Sequence, residues 1–196
     1  MIRSREDYLR YLEADRISLG ADNTLFQRLF NDRWQYQRLL RRVEYLKNCR
    51  KNKLLRLWVE WRHRKLGRLL GYSIPPNVFG PGLAIPHRGT IVVNSYARVG
   101  ANCRIHVCTN LGTNLGTLDE APVLGDNVYI GPGAKLYGKI VLGDNMVIGA
   151  NAVVNRSFPE GNCTVAGAPA RVISERTSAG GLIRGHAVPQ GEAIGA

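Results

Sequence analysis

The sequence is poor in the residues that mark disulfide and metal chemistry. Its 196 residues include four cysteines and four histidines. No two cysteines form a CxxC pair, and no Cys/His spacing typical of a zinc site occurs. We therefore expect neither a disulfide framework nor a metal ion.

Long apolar runs are also missing. No stretch approaches the roughly 18 apolar residues that a membrane-spanning helix needs. The opening segment MIRSREDYLRYLEADR lacks the apolar core of a signal peptide. We therefore expect a cytoplasmic protein.

Acidic residues are scarce, and the imbalance is uneven along the chain. There are 15 Asp and Glu against 27 Lys and Arg, which gives a net charge of +12. Residues 1–70 hold 18 of the basic and 8 of the acidic residues. This charge favours acidic partners, but no element typical of nucleic-acid recognition is present, so we expect no nucleic-acid partner.

Residues 1–70 predict an α-helical N-terminal region of three helices. The first ends near Gly20, the second begins at Asn23 or Thr24, and the third spans 53–70. An apolar stripe is predicted on the third helix, formed by Leu54, Leu55, Trp58, Trp61, Leu66 and Leu69. We interpret this helix as packed on its own domain with a solvated basic face. The alternative is a basic amphipathic helix that lies on a membrane surface.

From residue 71 onward, aliphatic residues recur every six positions. They are Val93, Val99, Ile105 and Leu111, then Leu124, Ile130, Leu136, Leu142, Ile148 and Val154. A period of six fits neither a helix nor a long flat strand, and it is typical of a hexapeptide parallel β-helix in which each unit forms one side of a three-sided coil. We predict this coil over 71–173, a protruding loop over 112–123 where the period breaks, and a flexible tail over 174–196.

Two segments carry a resemblance to a known family. They are IPPNVFGPGLAIPHRGTIVVNSYARVGANCRIHVCTNLGT and GNCTVAGAPARVI. Both look like the left-handed parallel β-helix acyltransferases, within them the serine acetyltransferase branch, and most of all its members that O-acetylate capsular or other surface polysaccharides. The resemblance implies acetyl transfer from acetyl-CoA to a hydroxyl, in a homotrimer with active sites between adjacent coils.

The same resemblance implies that His87 is the general base. A hydroxyl is a poor nucleophile near neutral pH, and a neutral imidazole can accept its proton during attack. The second coil histidine, His106, either takes part in catalysis or acceptor binding or is a surface histidine. Asp119 or Glu120, reaching from a neighbouring subunit, are candidates to orient the base.

Small and cationic residues are the candidates for holding the co-substrate. Gly131, Gly149 and Ala150 would let the pantetheine arm lie close to the coil backbone. Arg156 and Arg171 would bind the phosphates of CoA.

Three positions depart from the serine acetyltransferase pattern. Ser73 and Pro86 stand where that branch has aspartates, and Ala121 stands where it has a histidine. These departures favour a saccharide hydroxyl as the acceptor. Serine O-acetylation for cysteine synthesis and a non-enzymatic β-helix scaffold are the alternatives. A zinc hydratase is disfavoured, because it needs three histidine ligands and the coil has two.

Overall fold

The described part of the N-terminal region contains four helices. A computed structural model describes residues 1–50 and 52–187. The helices are α1 (Arg5–Leu19), α2 (Leu25–Phe30), α3 (Asp32–Cys49) and α4 (Lys53–Leu70). The second predicted helix is in fact two helices, α2 and α3, because Asn31 ends the first and caps the second. The Asn31 side chain caps α3 by accepting a hydrogen bond from the backbone N–H of Trp34.

Short strands follow from residue 72 onward. They are β1 (Tyr72–Ser73), β2 (Ile91–Val93), β3 (Arg98–Val99), β4 (Arg104–Ile105), β5 (Thr109–Gly112), β6 (Val123–Leu124), β7 (Tyr129–Ile130), β8 (Lys135–Tyr137), β9 (Val141–Leu142), β10 (Val147–Ile148), β11 (Val153–Val154), β12 (Thr164–Gly167) and β13 (Ala170–Ser174). Sheet 1 has the order β1-β2-β5-β8-β11, sheet 2 is β3-β6-β9, and sheet 3 is β13-β12-β10-β7-β4.

Consecutive strands from β2 to β10 fall in sheets 1, 2 and 3 in turn. Each strand from β2 to β8 pairs in parallel with the strand three places further along the chain. The chain therefore winds as a three-sided parallel coil. The six-residue period had predicted the inward positions, and all ten of those aliphatic side chains lie in one buried core. Stacking of equivalent residues on successive turns gives the coil its apolar interior.

The corner between sheets 2 and 3 is built from asparagines. Asn102, Asn127, Asn145 and Asn162 all have positive φ, between 50° and 58°. Each of the first three donates from its side-chain amide to the side-chain oxygen of the next, at 2.9 to 3.0 Å. Asparagine tolerates the left-handed backbone and this stacked ladder satisfies its amide, so the corner is both shaped and held by one residue type.

A buried ion network joins the helices to the first turn of the coil. The Arg41 guanidinium is fully buried and donates to both carboxylate oxygens of Asp15, at 2.7 and 3.1 Å, and to Glu44 at 3.0 Å. It also donates to the carbonyls of Phe79 and Gly80, at 2.9 and 2.6 Å. Because Arg41 has both its carboxylate and its carbonyl partners, this network holds the helical region against residues 79–80, at the start of the coil and shortly before His87.

The third predicted helix does not pack as expected. The residues that α4 buries are Val59, His63, Gly67 and Leu70. Four of the six predicted stripe residues are exposed, namely Leu54, Trp58, Trp61 and Leu69, with Leu54 and Leu69 81% and 78% exposed. Leu55 and Leu66 are half-buried and pack against the apolar clusters, as predicted. In the part of the chain that is described, no helix combines the length and apolarity needed to span a membrane.

The C-terminal segment also differs from its prediction, as far as it is described. Up to residue 187 it packs on the rest of the molecule, whereas the sequence predicts a flexible tail. Asn102 and His186 exchange two hydrogen bonds of 2.9 Å, and the N–H of Gly185 donates to Ser18 Oγ at 2.9 Å. Ser178 is buried and its hydroxyl donates to the carbonyl of Asn127. The remaining predicted tail, 188–196, lies outside the described residues.

Candidate active site

The candidate site lies at the corner where the chain passes from sheet 3 to sheet 1. Four successive turns contribute the segments 86–88, 106–108, 131–133 and 149–151. We call this edge the histidine corner. It gathers most of the residues singled out in the sequence, because each of those lying in these segments comes one or two positions after a buried aliphatic residue on the sheet-3 side of the coil.

Two imidazoles meet at the start of this corner. The ring centroids of His87 and His106 are 5.8 Å apart, at an interplanar angle of 41°. The His106 ring also contacts the ring of Tyr129 on the next turn, with centroids 5.0 Å apart. His87 is exposed and His106 is half-buried, so one imidazole faces solvent while the other is held against the coil.

The surroundings of His106 favour a neutral ring. Burial lowers its pKa below the usual value, and the charges of Arg104 and His87 lower it further. Arg104 Nε donates toward His106 Nε2 at 3.4 Å, which fits an unprotonated nitrogen at that position. At neutral pH the ring can therefore accept or donate one hydrogen bond without carrying charge.

The backbone around His87 is fixed by the helical region and by β1. The Tyr72 hydroxyl donates to the carbonyl of His87 at 2.6 Å, and the Arg33 guanidinium donates to the carbonyl of Pro86. Asp32 forms an ion pair with Arg88. Tyr72, Arg33 and Asp32 were not predicted from the sequence, because they are 15 to 55 positions before His87 and no spacing links them to it.

A column of small residues runs from His106 along the corner. The pairing of β4, β7, β10 and β12 aligns Ile105 with Ile130, Ile148 and Val165. The residues that follow are therefore stacked in the order His106, Gly131, Gly149 and Ala166. Beyond His106 its members carry no side-chain atom past Cβ, and we call this column, which leads from the imidazoles toward the end of the coil, the small-residue path.

Gly131 and Gly149 also have a structural reason to be glycine. A Cβ on Gly131 would lie 2.7 Å from the carbonyl oxygen of Ile148, and one on Gly149 would lie 2.8 Å from Cβ of Ala166. The N–H groups of His106, Gly131 and Gly149 donate to the next turn of the coil. These residues can therefore give a ligand room to approach the backbone, but their N–H groups are not free to bind it.

Ala150 and Arg171 remain available beside this column. Ala150 is exposed in the turn after Gly149. Arg171, in β13, is the antiparallel partner of Ala166 and is exposed. A cation therefore lies beside the far end of the small-residue path, where an anionic group of an extended ligand could bind.

The structure does not bring Asp119 and Arg156 to this corner of the same chain. Both lie where the chain passes from sheet 1 to sheet 2, which we call the loop corner. Asp119 is exposed in the protruding loop between β5 and β6, and Arg156 follows β11 with its guanidinium 5.2 Å from the ring centroid of Phe158. Five candidate site residues at the histidine corner, with Arg171 beside them in β13, thus lie on a different edge of the coil from these two.

Comparison with known proteins agrees with this architecture. The family model "Bacterial transferase hexapeptide (six repeats)" matches residues 121–156. A serine acetyltransferase of Synechococcus elongatus is 42% identical over 111 residues, which are 55% of this chain and 45% of that protein. The chain therefore spans less than half the length of this curated relative.

Solved structures extend the likeness to the helical region. The serine acetyltransferase of Brucella abortus strain S19 superposes with a TM-score of 0.71 at 26% identity, over 89% of this chain and 72% of that one. The same protein in complex with Coenzyme A gives 0.69 at 26% identity, over 87% and 68%. None of these relatives is a polysaccharide acetyltransferase, so the expected closer likeness to that group is not supported. The chain is similar to serine acetyltransferases in the sequence of its coil and in its fold.

Proposed function

We propose that this chain transfers the acetyl group of acetyl-CoA to a hydroxyl, with His87 as the general base. The observation that carries the proposal is the histidine corner, where two imidazoles 5.8 Å apart stand at the head of a small-residue path. The names of the similar proteins, and the CoA complex of one of them, support the same reaction.

In this reaction His87 accepts the proton of the acceptor hydroxyl as its oxygen attacks the thioester carbonyl. A carbon–oxygen bond forms, the carbon–sulfur bond breaks, and the proton passes from His87 to the leaving thiolate, which gives CoA thiol. His106, kept neutral by burial and by Arg104, contacts the acceptor from the adjacent turn. The column through Gly131 and Gly149 receives the pantetheine arm, with Ala150 beside it and Arg171 at the phosphate end.

Serine is the acceptor that the similar proteins favour, since their names specify it. This supports the alternative reading of the sequence over a saccharide acceptor. One observation keeps the saccharide as a second candidate. Ser73 and Pro86 stand where the serine acetyltransferase pattern has aspartates and Ala121 where it has a histidine, and Pro86 and Ala121 are buried.

We further propose that the complete site forms between two copies in a homotrimer of left-handed coils. The histidine corner of one copy would face the loop corner of its neighbour. This arrangement accounts for the placement of Asp119 and Arg156, which a single chain keeps away from His87. Asp119 would then orient the imidazole, and Arg156 would join Arg171 at the phosphates.

Acceptor identity is tested by release of CoA thiol with acetyl-CoA and either serine or a panel of glycans. Turnover with serine alone is the expected result, and turnover with a glycan but not with serine would reverse the choice of acceptor. CoA binding by calorimetry separates an enzyme from a scaffold, because a scaffold would bind no CoA.

Mixing two inactive variants tests the shared site. His87→Ala and Asp119→Asn trimers, each with little activity alone, are expected to regain activity when their subunits exchange, because some interfaces then combine an intact corner from each copy. The matched control is a mixture of His87→Ala with His87→Gln, which has no intact histidine corner. Regained activity in the control, or none in the test mixture, would contradict a site built from two copies.

A further inference from the structure

The outward face of α4 is mainly apolar in its first half and mainly basic in its second half, where Leu69 is also exposed. Leu54, Leu57, Trp58 and Trp61 are exposed on its first half, and Arg62, Arg64, Lys65 and Arg68 on its second half. We call these eight residues the α4 outer face. Spacings of three and four positions place most of them on one side of the helix, opposite the buried Val59, His63, Gly67 and Leu70.

Two large indoles are the main feature of this face. Trp58 and Trp61 are 49% and 54% exposed, although burying an indole is strongly favourable in water. The Arg62 guanidinium lies 5.0 Å from the Trp58 ring centroid, and Lys65 Nζ lies 5.3 Å from that of Trp61. Each indole therefore has a cation beside it at the surface.

The positive charge of this face is not balanced within the helix. Glu60 is the one acidic residue of residues 53–70, and its carboxylate lies 3.5 Å from Arg56, which is not part of the face. Residues 1–70 as a whole carry ten more basic than acidic side chains. An occupant of the α4 outer face must therefore supply negative charge as well as apolar contact.

We propose that the α4 outer face binds the surface of a membrane rich in anionic lipids. A second copy of this face would bring like charges together, and a nucleic acid would leave the exposed leucines without a partner. A bilayer surface offers both chemistries in one plane, since phosphates lie directly above the acyl chains. Indoles settle at that boundary and Lys and Arg bind the headgroups, with the helix lying flat. This binding is independent of the acetyl-transfer reaction.

Vesicle co-sedimentation of the full chain tests the proposal. The protein is expected to bind vesicles of phosphatidylcholine with phosphatidylglycerol, to bind pure phosphatidylcholine weakly, and to be released by salt. Because each cation near such a surface contributes about fivefold in partitioning, Arg64→Gln with Lys65→Gln and Arg68→Gln should weaken binding about a hundredfold. The matched control, Arg5→Gln with Lys139→Gln and Arg184→Gln, removes the same charge from exposed positions elsewhere and should bind nearly as well as the unchanged protein.

The apolar half is tested separately. Trp58→Ala with Trp61→Ala should weaken vesicle binding at least tenfold. Tyr96→Ala with Leu115→Ala, which removes one exposed apolar side chain from the coil and one from its protruding loop, should not. In the unchanged protein the tryptophan emission should shift to the blue on binding. If the α4 charge variant and its matched control lost vesicle binding equally, net charge alone would explain the binding, and the proposal would be overturned. Dissociation of the oligomer by the tryptophan changes would overturn it in favour of a subunit contact, and tighter binding to polyglutamate than to vesicles would overturn it in favour of an acidic protein.

Discussion

Acidification is predicted to destabilise the fold through His63. Its imidazole is buried in α4 and stacks on the ring of Tyr36, with centroids 4.7 Å apart, and its Nε2 has no hydrogen-bond partner within the described structure. Burial, with a smaller contribution from the charge of Arg64, lowers the pKa of His63 to about 4. In the unfolded chain the same group titrates near its ordinary value of 6.5.

The direction of the effect follows from which state binds the proton first. Between pH 6.5 and 4 the unfolded chain holds a proton on this imidazole and the folded chain does not, so stability falls as the pH falls through this window. The shift amounts to about 3 kcal/mol in total and about 2 kcal/mol between pH 7 and pH 5. In the variant His63→Phe, which keeps a ring against Tyr36, this part of the pH dependence should vanish.

Urea unfolding at pH 7 and pH 5 measures this difference, and an NMR titration of the His63 ring follows its proton directly. The unchanged protein should lose about 2 kcal/mol more than His63→Phe over this interval. An equal loss in both proteins, or a ring that titrates near 6.5 in the folded state, would refute the reasoning.

Two further predictions concern the frame that holds the site. Arg41→Met should cost about 3 to 5 kcal/mol in urea unfolding, because it leaves the carboxylates of Asp15 and Glu44 buried without their cation; a loss below about 1 kcal/mol would contradict the network. Gly131→Ala should cost about 1 to 3 kcal/mol in the absence of CoA, because its Cβ would crowd the carbonyl of Ile148. Unchanged stability of Gly131→Ala would show that this glycine is not required by the coil.

The coil was predictable because its signal is local and repeated. Residues such as Ile105, Ile130 and Ile148 each occupy the same place in a six-residue unit, so position in the period alone specifies burial. The helical region has no such repeat. In the sequence, Arg41 cannot be told from the other arginines of a basic helix. Its guanidinium can be buried only because Asp15 and the carbonyl groups of Phe79 and Gly80 lie against it in the fold.

The exposed apolar residues of α4 also show what periodicity in the sequence cannot predict. Apolar spacing predicts that Trp58 and Trp61 share a face, and they do, but periodicity cannot tell whether anything covers that face. Here α4 packs through smaller residues, His63 and Gly67 among them, because the close approach of Gly67 to β1 leaves no room for a bulky side chain: a Cβ on Gly67 would lie 2.8 Å from the carbonyl oxygen of Tyr72.

For the candidate site, the residue types could be predicted from the sequence, but their distances from one another could be seen only in the fold. His87 and His106 are 19 positions apart, and one full turn of the coil brings their rings together. The separation of the two imidazoles from Asp119 could not be derived from the period, because Asp119 lies in the protruding loop, which breaks the period and leaves the coil at a different corner. Tyr72 and Arg33 were missed since they act on carbonyl groups, which carry no sequence signature.

The most direct test of the central claim is the turnover of His87→Ala at saturating acetyl-CoA and acceptor. Removal of a general base should lower kcat about a hundredfold to ten-thousandfold, with CoA affinity and oligomeric state unchanged. His186→Ala, which removes an imidazole away from the histidine corner, should keep its turnover. A fall of less than about tenfold in the His87→Ala variant, with the fold intact, would contradict the assignment of His87 as the base.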